Sequence, residues 1–197
     1  MTAHRAVMCG GAVKGKIVLV TGGAGSVGHS AIQIAKAAGA RVFATVSTDQ
    51  KFEIAQAAGA DVIINYRTED LKSRLLDEAP NGIDHVADVD FAAHAEIYPS
   101  VLKINASVGS YATATNLTPA IPFYPLAFRN ILIQPIFVYS MSDEAKADAI
   151  ADISRMLAKG QLTPRIAKTF DFKSVIVAHE AVEAGTLVGN AVVEVKG

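Results

Sequence analysis

Apolar positions along this chain follow two rhythms that alternate at regular intervals. Lys16-Ile-Val-Leu-Val-Thr21 is a short β-branched run ending in glycines, the pattern of a strand buried on both faces. Residues 26–38 then place Val27, Ala31, Ile34, Ala35 and Ala38 at helical spacing, and Gly39 closes that helix. The alternation repeats with a strand over 41–46, a helix over 49–58 closed by Gly59, a strand over 61–65, and a helix over 68–78 with Thr68 as its N-cap. Residues 83–88, 92–100 and 104–110 continue it as strand, short helix and strand. Three prolines, Pro119, Pro122 and Pro125, make 113–127 a loop or broken helix. A sixth strand is predicted over 131–139, where Pro135 points to an edge or a bulge, followed by an amphipathic helix over 143–158 stopped by Gly160. A strand over 165–170, a helix over 173–184 and a strand over 191–196 form a tail that either extends the sheet or reaches toward another domain. Strict alternation of strand and helix implies right-handed crossovers. The predicted fold is therefore α/β, a Rossmann-type doubly wound parallel six-stranded sheet with helices on both faces.

Composition narrows the function classes. The 197 residues carry 18 Lys plus Arg against 19 Asp plus Glu, a net charge of −1, which argues against a nucleic-acid partner held by its phosphates. With 51% hydrophobic and 19% charged residues, the chain can fill a large core. The single cysteine, Cys9, excludes a disulfide scaffold and any multi-cysteine zinc site, and fits a reducing compartment. No apolar stretch is long enough for a membrane helix and the N-terminal residues lack a signal-type apolar core, so the expectation is a cytoplasmic protein with no membrane partner.

The strongest chemical signal is Val20-Thr-Gly-Gly-Ala-Gly-Ser-Val-Gly28. Gly23, Gly25 and Gly28 satisfy G-x-G-x-x-G where the first strand meets the first helix. The first glycine permits a tight turn, the second lets a pyrophosphate approach the backbone, and the third lets helix and strand pack closely. Free N–H groups and the helix dipole at Ser26, Val27 and Gly28 then favour an anion. A purely structural turn is the alternative. The second strand bears on which nucleotide. It ends Thr45-Val46-Ser47-Thr48 with no carboxylate before Asp49, whereas an NAD site places an acid there for the ribose 2′-OH. Ser47 can hydrogen-bond a 2′-phosphate and Lys51 can supply charge, so NADPH is the expected cofactor. The alternative makes Ser47 an N-cap and Lys51 a solvated helix lysine. A short-chain dehydrogenase reading fails twice: Ser26 stands where its middle glycine belongs, and no tyrosine has a lysine four residues later.

Other chemistry is sparse. His4, His29, His85, His94 and His179 show no metal-ligand spacing, and no metal is expected. Asp88 and Asp90 would point to opposite faces of a continuing strand and form no acid/base pair. Cys9 fits a small packed residue better than a nucleophile. Tyr111 and Tyr124 could donate a proton to a reduced carbonyl compound, yet nothing in the sequence singles them out.

Taken together, residues 2–7, Gly22–Gly28, Thr48-Asp-Gln-Lys51, residues 59–67, Leu157-Ala-Lys-Gly-Gln-Leu162 and the tail motifs at 178–181 and 189–193 resemble the nucleotide-binding half of the medium-chain dehydrogenases/reductases. The branch they look most like is the zinc-free NADPH:quinone oxidoreductases. The resemblance implies that Gly23, Gly25, Ser26, Val27 and Gly28 hold the pyrophosphate and that Ser47, Lys51 and Tyr66 surround the 2′-phosphate and adenine side. It further implies that Gly109 and Ser110 pass close to the nicotinamide ribose, and that Phe137 and Val138 approach the nicotinamide. Hydride would go, without a metal, to a small-molecule electron acceptor, either a quinone or an α,β-unsaturated carbonyl. Two alternatives belong beside it: a dinucleotide-binding module inactive alone, as a partner subunit or redox sensor, and the enoyl reductase portion of a polyketide or fatty acid synthase.

The chain departs from the family in three places. Asp88-Val-Asp-Phe91 stands where members usually read Asp-x-Val-Gly, so Asp90 and Phe91 are expected to crowd the cofactor's path. Gly185-Thr-Leu replaces an arginine often found near the 2′-phosphate. The family's N-terminal barrel-like substrate domain is missing, so Met1 is expected to be an internal start, a fragment boundary or the start of a separately made module. The expected division is a dinucleotide-binding domain over 1–163 and an extension over 164–197 that packs toward that substrate domain. A homodimer, formed where the sixth strand meets its mate across a two-fold axis, or a partner supplying the substrate domain is expected to cover the exposed apolar surface.

Overall fold

The computed structural model, which describes residues 1–185 and 187–195, places Ile17–Val20 (β1), Arg41–Val46 (β2), Val62–Asn65 (β3), Ile83–Asp88 (β4), Leu102–Ser110 (β5) and Leu132–Pro135 (β6) in one parallel sheet. Its order is β3-β2-β1-β4-β5-β6, that of a Rossmann fold, with the direction of winding reversing between β1 and β4. Alternate side chains of the strands enter opposite layers. Val18, Val20, Val42 and Ala44 pack with Thr2–Met8 (α1), Ser26–Ala37 (α2) and Asp143–Ala158 (α8) on one face. Leu19, Phe43, Ile64 and Val108 pack with Leu71–Glu78 (α4), Phe91–His94 (α5), Tyr98–Val101 (α6) and Phe123–Ala127 (α7) on the other. Asp49–Ala57 (α3) follows β2 on the first face, through Ala55.

The differences from the periodicity are local and have identifiable causes. The fourth helix begins at Leu71, not Thr68, because Asp70 is the N-cap and accepts from the Ser73 amide at 2.8 Å. Thr68 instead closes a turn on the Asn65 carbonyl. The helix expected over 92–100 is two single turns, α5 and α6, because Pro99 has no N–H to continue the ladder. The sixth strand stops at Pro135, and Val138–Ser140 forms a 3-10 turn. Its position at the sheet edge is the one Pro135 tolerates. In the tail, among the described residues, Ile166–Asp171 (β7) and Asn190–Glu194 (β8) pair only with each other, parallel, and are joined by Val175–Glu183 (α9). The predicted end of the last strand, Lys196, lies outside the described residues.

Helix α1 was not legible from periodicity. It lies against α2, α8, β4 and β5, with Ala3, Ala6 and Val7 buried. Glycine makes this contact possible: a Cβ on Gly109 would stand 2.5 Å from the Ala6 carbonyl oxygen and 2.7 Å from Cys9 Sγ. His85 pins the same helix from inside the sheet. Its ring is buried, with Nε2 2.7 Å from the Ala6 carbonyl oxygen and Nδ1 2.7 Å from Ser107 Oγ. A carbonyl can only accept, so Nε2 carries the proton and Nδ1 accepts from the hydroxyl.

Burial, helped by the Lys16 charge and opposed by the bond to Ala6, holds the His85 pKa below its usual 6.5. A histidine kept neutral in the fold contributes stability that is complete above about pH 6.5 and is lost as the unfolded chain takes up the proton at lower pH. Urea unfolding between pH 7.5 and 5.5 should therefore show a decline of about 1 kcal/mol. His29, lowered by burial and by Arg165, adds in the same direction. A His85→Gln chain should show a flatter profile; an unchanged slope would remove His85 from the account.

Candidate functional site

The cleft forms where β1 and β4 part company. Beyond β1, Thr21 donates its amide to the Ala87 carbonyl, and the chain turns at Gly22, whose φ is +67°. Glycine adopts that conformation without strain. The Gly22 amide donates to Thr45 Oγ1 at 3.1 Å and the Gly23 amide to the Thr45 carbonyl at 2.9 Å, which ties the turn to β2. The tight-turn role expected of Gly23 therefore falls to Gly22. Gly23 instead packs inward: a Cβ there would sit 3.0 Å from both Ala44 Cβ and Ile32 Cδ1. Gly28 admits the close approach of helix and turn, since its Cβ would lie 2.2 Å from the Gly22 carbonyl oxygen.

Helix α2 begins from Gly25, and no side chain caps it. The first intrahelical bond is donated by His29 to Gly25, so the amides of Ser26, Val27 and Gly28 have no acceptor within the helix. Such an end carries the positive pole of the helix dipole. A cavity of about 300 Å³ opens beside it, lined by Gly22, Gly25, Ser26, Ser47, Lys51 and Tyr66 among others. Lys51 Nζ is 3.0 Å from Ser47 Oγ. No carboxylate stands among the described residues of its lining. The tail reaches this cavity through Gly185, Leu187, Val188 and Gly189, and Arg165 holds Val188 through a 3.0 Å bond to its carbonyl. Thr186, between them, lies outside the described residues.

A second cavity, of about 520 Å³, lies beyond β5 and β6. Its walls are mostly apolar, including Phe91, Tyr111, Ile121, Ile133 and Phe137. Ser110 lines it and spends its hydroxyl on the Ala112 carbonyl at 3.1 Å. Tyr111 also lines it; burial, with the Asp88 charge adding, keeps its phenol protonated far above the usual range. Tyr124, the other tyrosine weighed as a proton donor, is 68% exposed and lines neither cavity.

The structure thus gathers Gly25, Ser26, Ser47, Lys51 and Tyr66 around one cavity and Ser110 and Phe137 around another. Gly23, Val27, Gly28, Gly109 and Val138 line neither. Gly23, Gly28 and Gly109 act through packing instead: the backbone comes close because they lack a side chain. Asp90 and Phe91, expected to crowd the cofactor's path, have partners of their own. Phe91 turns into the core, Asp90 accepts from the Thr115 amide and hydroxyl, and Val89 is the residue that stands over Gly22.

At the floor of the cleft lies a group that spacing alone did not reveal. Asp88, fully buried at the end of β4, accepts from Thr21 Oγ1 at 2.8 Å, Tyr98 Oη at 2.6 Å, His94 Nδ1 at 2.9 Å and the Asp90 amide at 3.1 Å. Burial pushes its pKa up, but the bonds from His94, Tyr98 and Thr21 outweigh it and hold the carboxyl below its ordinary value. An acid at the end of a buried strand was the available signal. Its partners sit 67 residues upstream and 6 to 10 downstream, beyond any local pattern.

Comparison with known proteins agrees with this fold. Residues 26–155 match the family described as zinc-binding dehydrogenase. The chain is 27% identical over 187 residues to prostaglandin reductase 1 of Bos taurus, covering 91% of this chain and 57% of that protein. It is 36% identical over 106 residues to a probable quinone oxidoreductase of Leishmania amazonensis, covering 50% and 31%. Among solved structures, an NAD-dependent alcohol dehydrogenase superposes with a TM-score of 0.86 at 25% identity, covering 99% of this chain and 56% of that one. The chain thus spans little more than half the length of these relatives, or less. Among the described residues no group of three or more His, Cys, Asp or Glu side chains could hold a metal ion, so zinc has no fitting donor set there. Nor is any helix among them long and apolar enough to cross a membrane.

Proposed function

Because the chain belongs to the zinc-binding dehydrogenase family, within the medium-chain dehydrogenases/reductases, we propose that it is the nucleotide-binding part of an oxidoreductase using NADPH. The observation that carries the cofactor choice is the pairing of Lys51 with Ser47, 3.0 Å apart, in a cavity whose described lining holds no carboxylate. A carboxylate there would accept from a ribose 2′-OH and repel a 2′-phosphate; a lysine and a hydroxyl do the opposite. The amides of Ser26, Val27 and Gly28 hold the pyrophosphate at the start of α2, where the helix dipole favours it.

Bound nicotinamide supplies hydride. The chain's own residues orient it: the cavity beyond β5 and β6, with the partly buried Tyr111 in its wall, keeps water from an apolar acceptor. A quinone or an α,β-unsaturated carbonyl suits such walls, and the names of the quinone oxidoreductase and prostaglandin reductase relatives support that class of acceptor. Ile166, Ile176, Val177 and Val182 expose apolar side chains in the tail, which supports a covering surface from a second copy or from a substrate-binding partner.

Calorimetric titration tests the cofactor assignment. Lys51→Ala is expected to weaken NADPH by about tenfold or more, the loss of a charge-assisted bond, while changing NADH by less than about twofold. An equal effect on both nucleotides, or no binding of either to the unmodified chain, would overturn the assignment.

A further inference from the structure

A third cavity, of about 390 Å³, adjoins the one beside α2 and shares Gly22, Thr45, Tyr66 and Val89 with it. Leu71, Val89 and Ala93 give it apolar walls, Tyr66 adds an aromatic ring, and the His94 ring stands at its edge. The shape and chemistry suit a planar heterocycle. Most polar groups around it are already engaged. Thr21 donates to Asp88, Thr45 Oγ1 takes the Gly22 amide, and Asp90 accepts from Thr115.

His94 differs from these. Its Nδ1 lies 2.9 Å from the buried Asp88 carboxylate, which can only accept, so Nδ1 carries the hydrogen of the neutral ring. Asp88 is itself anchored by Thr21 and Tyr98, so the ring's orientation is fixed from behind, as a carboxylate fixes a metal-binding histidine. In that neutral form Nε2 bears a free lone pair. No hydrogen bond among the described residues uses it, and since no buried side-chain nitrogen or oxygen among them lacks a partner, Nε2 is open to solvent.

We propose that His94 reads the base of the bound dinucleotide: Nε2 accepts a hydrogen bond from the exocyclic amine at C6 of the purine, making the site selective for adenine over hypoxanthine. This rests on the dinucleotide reading above, since it needs the purine to continue from the phosphate cavity into this one. Hypoxanthine carries an oxygen at C6, so acceptor would face acceptor. A site built around a hydrogen-bonding amine rejects an analogue that lacks it more strongly than an apolar pocket rejects a change of shape.

The test is calorimetric titration of the full chain at pH 8 with NADPH and with its hypoxanthine analogue, repeated in His94→Phe. The unmodified chain is expected to bind NADPH at least about tenfold more tightly than the analogue. In His94→Phe the ratio should fall below about twofold, while the preference for NADPH over NADH persists. Equal affinity for the two purines in the unmodified chain, or an unchanged ratio in the variant, overturns the base-reading role and leaves the cofactor assignment standing. Failure of the unmodified chain to bind any of these nucleotides overturns both. If His94→Phe does not fold, the comparison on the unmodified chain decides by itself.

Discussion

Gly28→Ala is expected to abolish binding of both NADPH and NADH and to lower stability by about 3 kcal/mol or more. One added methyl has this effect because of what it would meet. Its carbon would lie 2.2 Å from the Gly22 carbonyl oxygen, 2.8 Å from the Gly22 carbonyl carbon and 3.0 Å from Gly23 Cα. All three are backbone atoms of the turn, so no side chain can rotate away. Helix α2 would have to move off the turn, and the amides of Ser26 to Gly28 would go with it. Gly25→Ala is the informative contrast. A Cβ there comes no closer than 3.4 Å to the Gly22 oxygen, an ordinary contact, yet Gly25 lines the phosphate cavity. That chain should keep its stability within about 1 kcal/mol and still lose nucleotide affinity. Thermal melting paired with calorimetry separates the two effects. Retention of NADPH affinity by Gly28→Ala would show that the contact between α2 and the turn is dispensable.

Asp88→Ala carries the second large effect, about 3 kcal/mol or more in urea unfolding. Removing the carboxylate leaves the fully buried Tyr98 hydroxyl and the nearly buried Thr21 hydroxyl without their acceptor, each at a desolvation cost of about 1–3 kcal/mol. Asp88→Asn is expected to fall between the two, since an amide keeps one acceptor but aims a donor at groups that themselves donate. The same network sets an acid limit. A carboxyl held below its usual value contributes stability that is present above the unfolded value near pH 3.8 and is lost as pH falls through the folded value. The Asp88 contribution should therefore persist to about pH 4 and vanish below it, well apart from the His85 effect, which acts below about pH 6.5. A cost under about 1 kcal/mol for Asp88→Ala would mean that the network does not hold the floor of the cleft.

How much of this was legible beforehand depended on the range of the interaction. Strand β2 and helix α8 fall within the predicted bounds because each has a local signal, a run rich in β-branched residues or an amphipathic period with a cap such as Ser142. Ser47 and Lys51 stand one turn apart on either side of the Thr48 N-cap, and the bond between them, which the spacing permits, is seen only in the fold. Thr68 was misassigned because threonine and aspartate cap helices for the same reason, and only the bond from Ser73 to Asp70 decides between them. Helix α1 has no strong period; it exists because α2, α8 and the sheet bury it, and because Gly109 leaves room for the Ala6 carbonyl.

The sequence by itself determined the alternation of strands and helices, the glycine turn and the absence of an acid at the end of β2. Those are properties of residues within a few positions of one another, where backbone sterics and hydrophobic period act directly. Tertiary structure alone decided which glycine turns and which one packs, that Val89 stands over Gly22, and that Asp88 gathers Thr21, His94 and Tyr98 beneath the cleft. These depend on parallel strands bringing residues far apart in the chain to the same edge of the sheet, and on burial, which makes a hydrogen bond necessary only once water has been excluded.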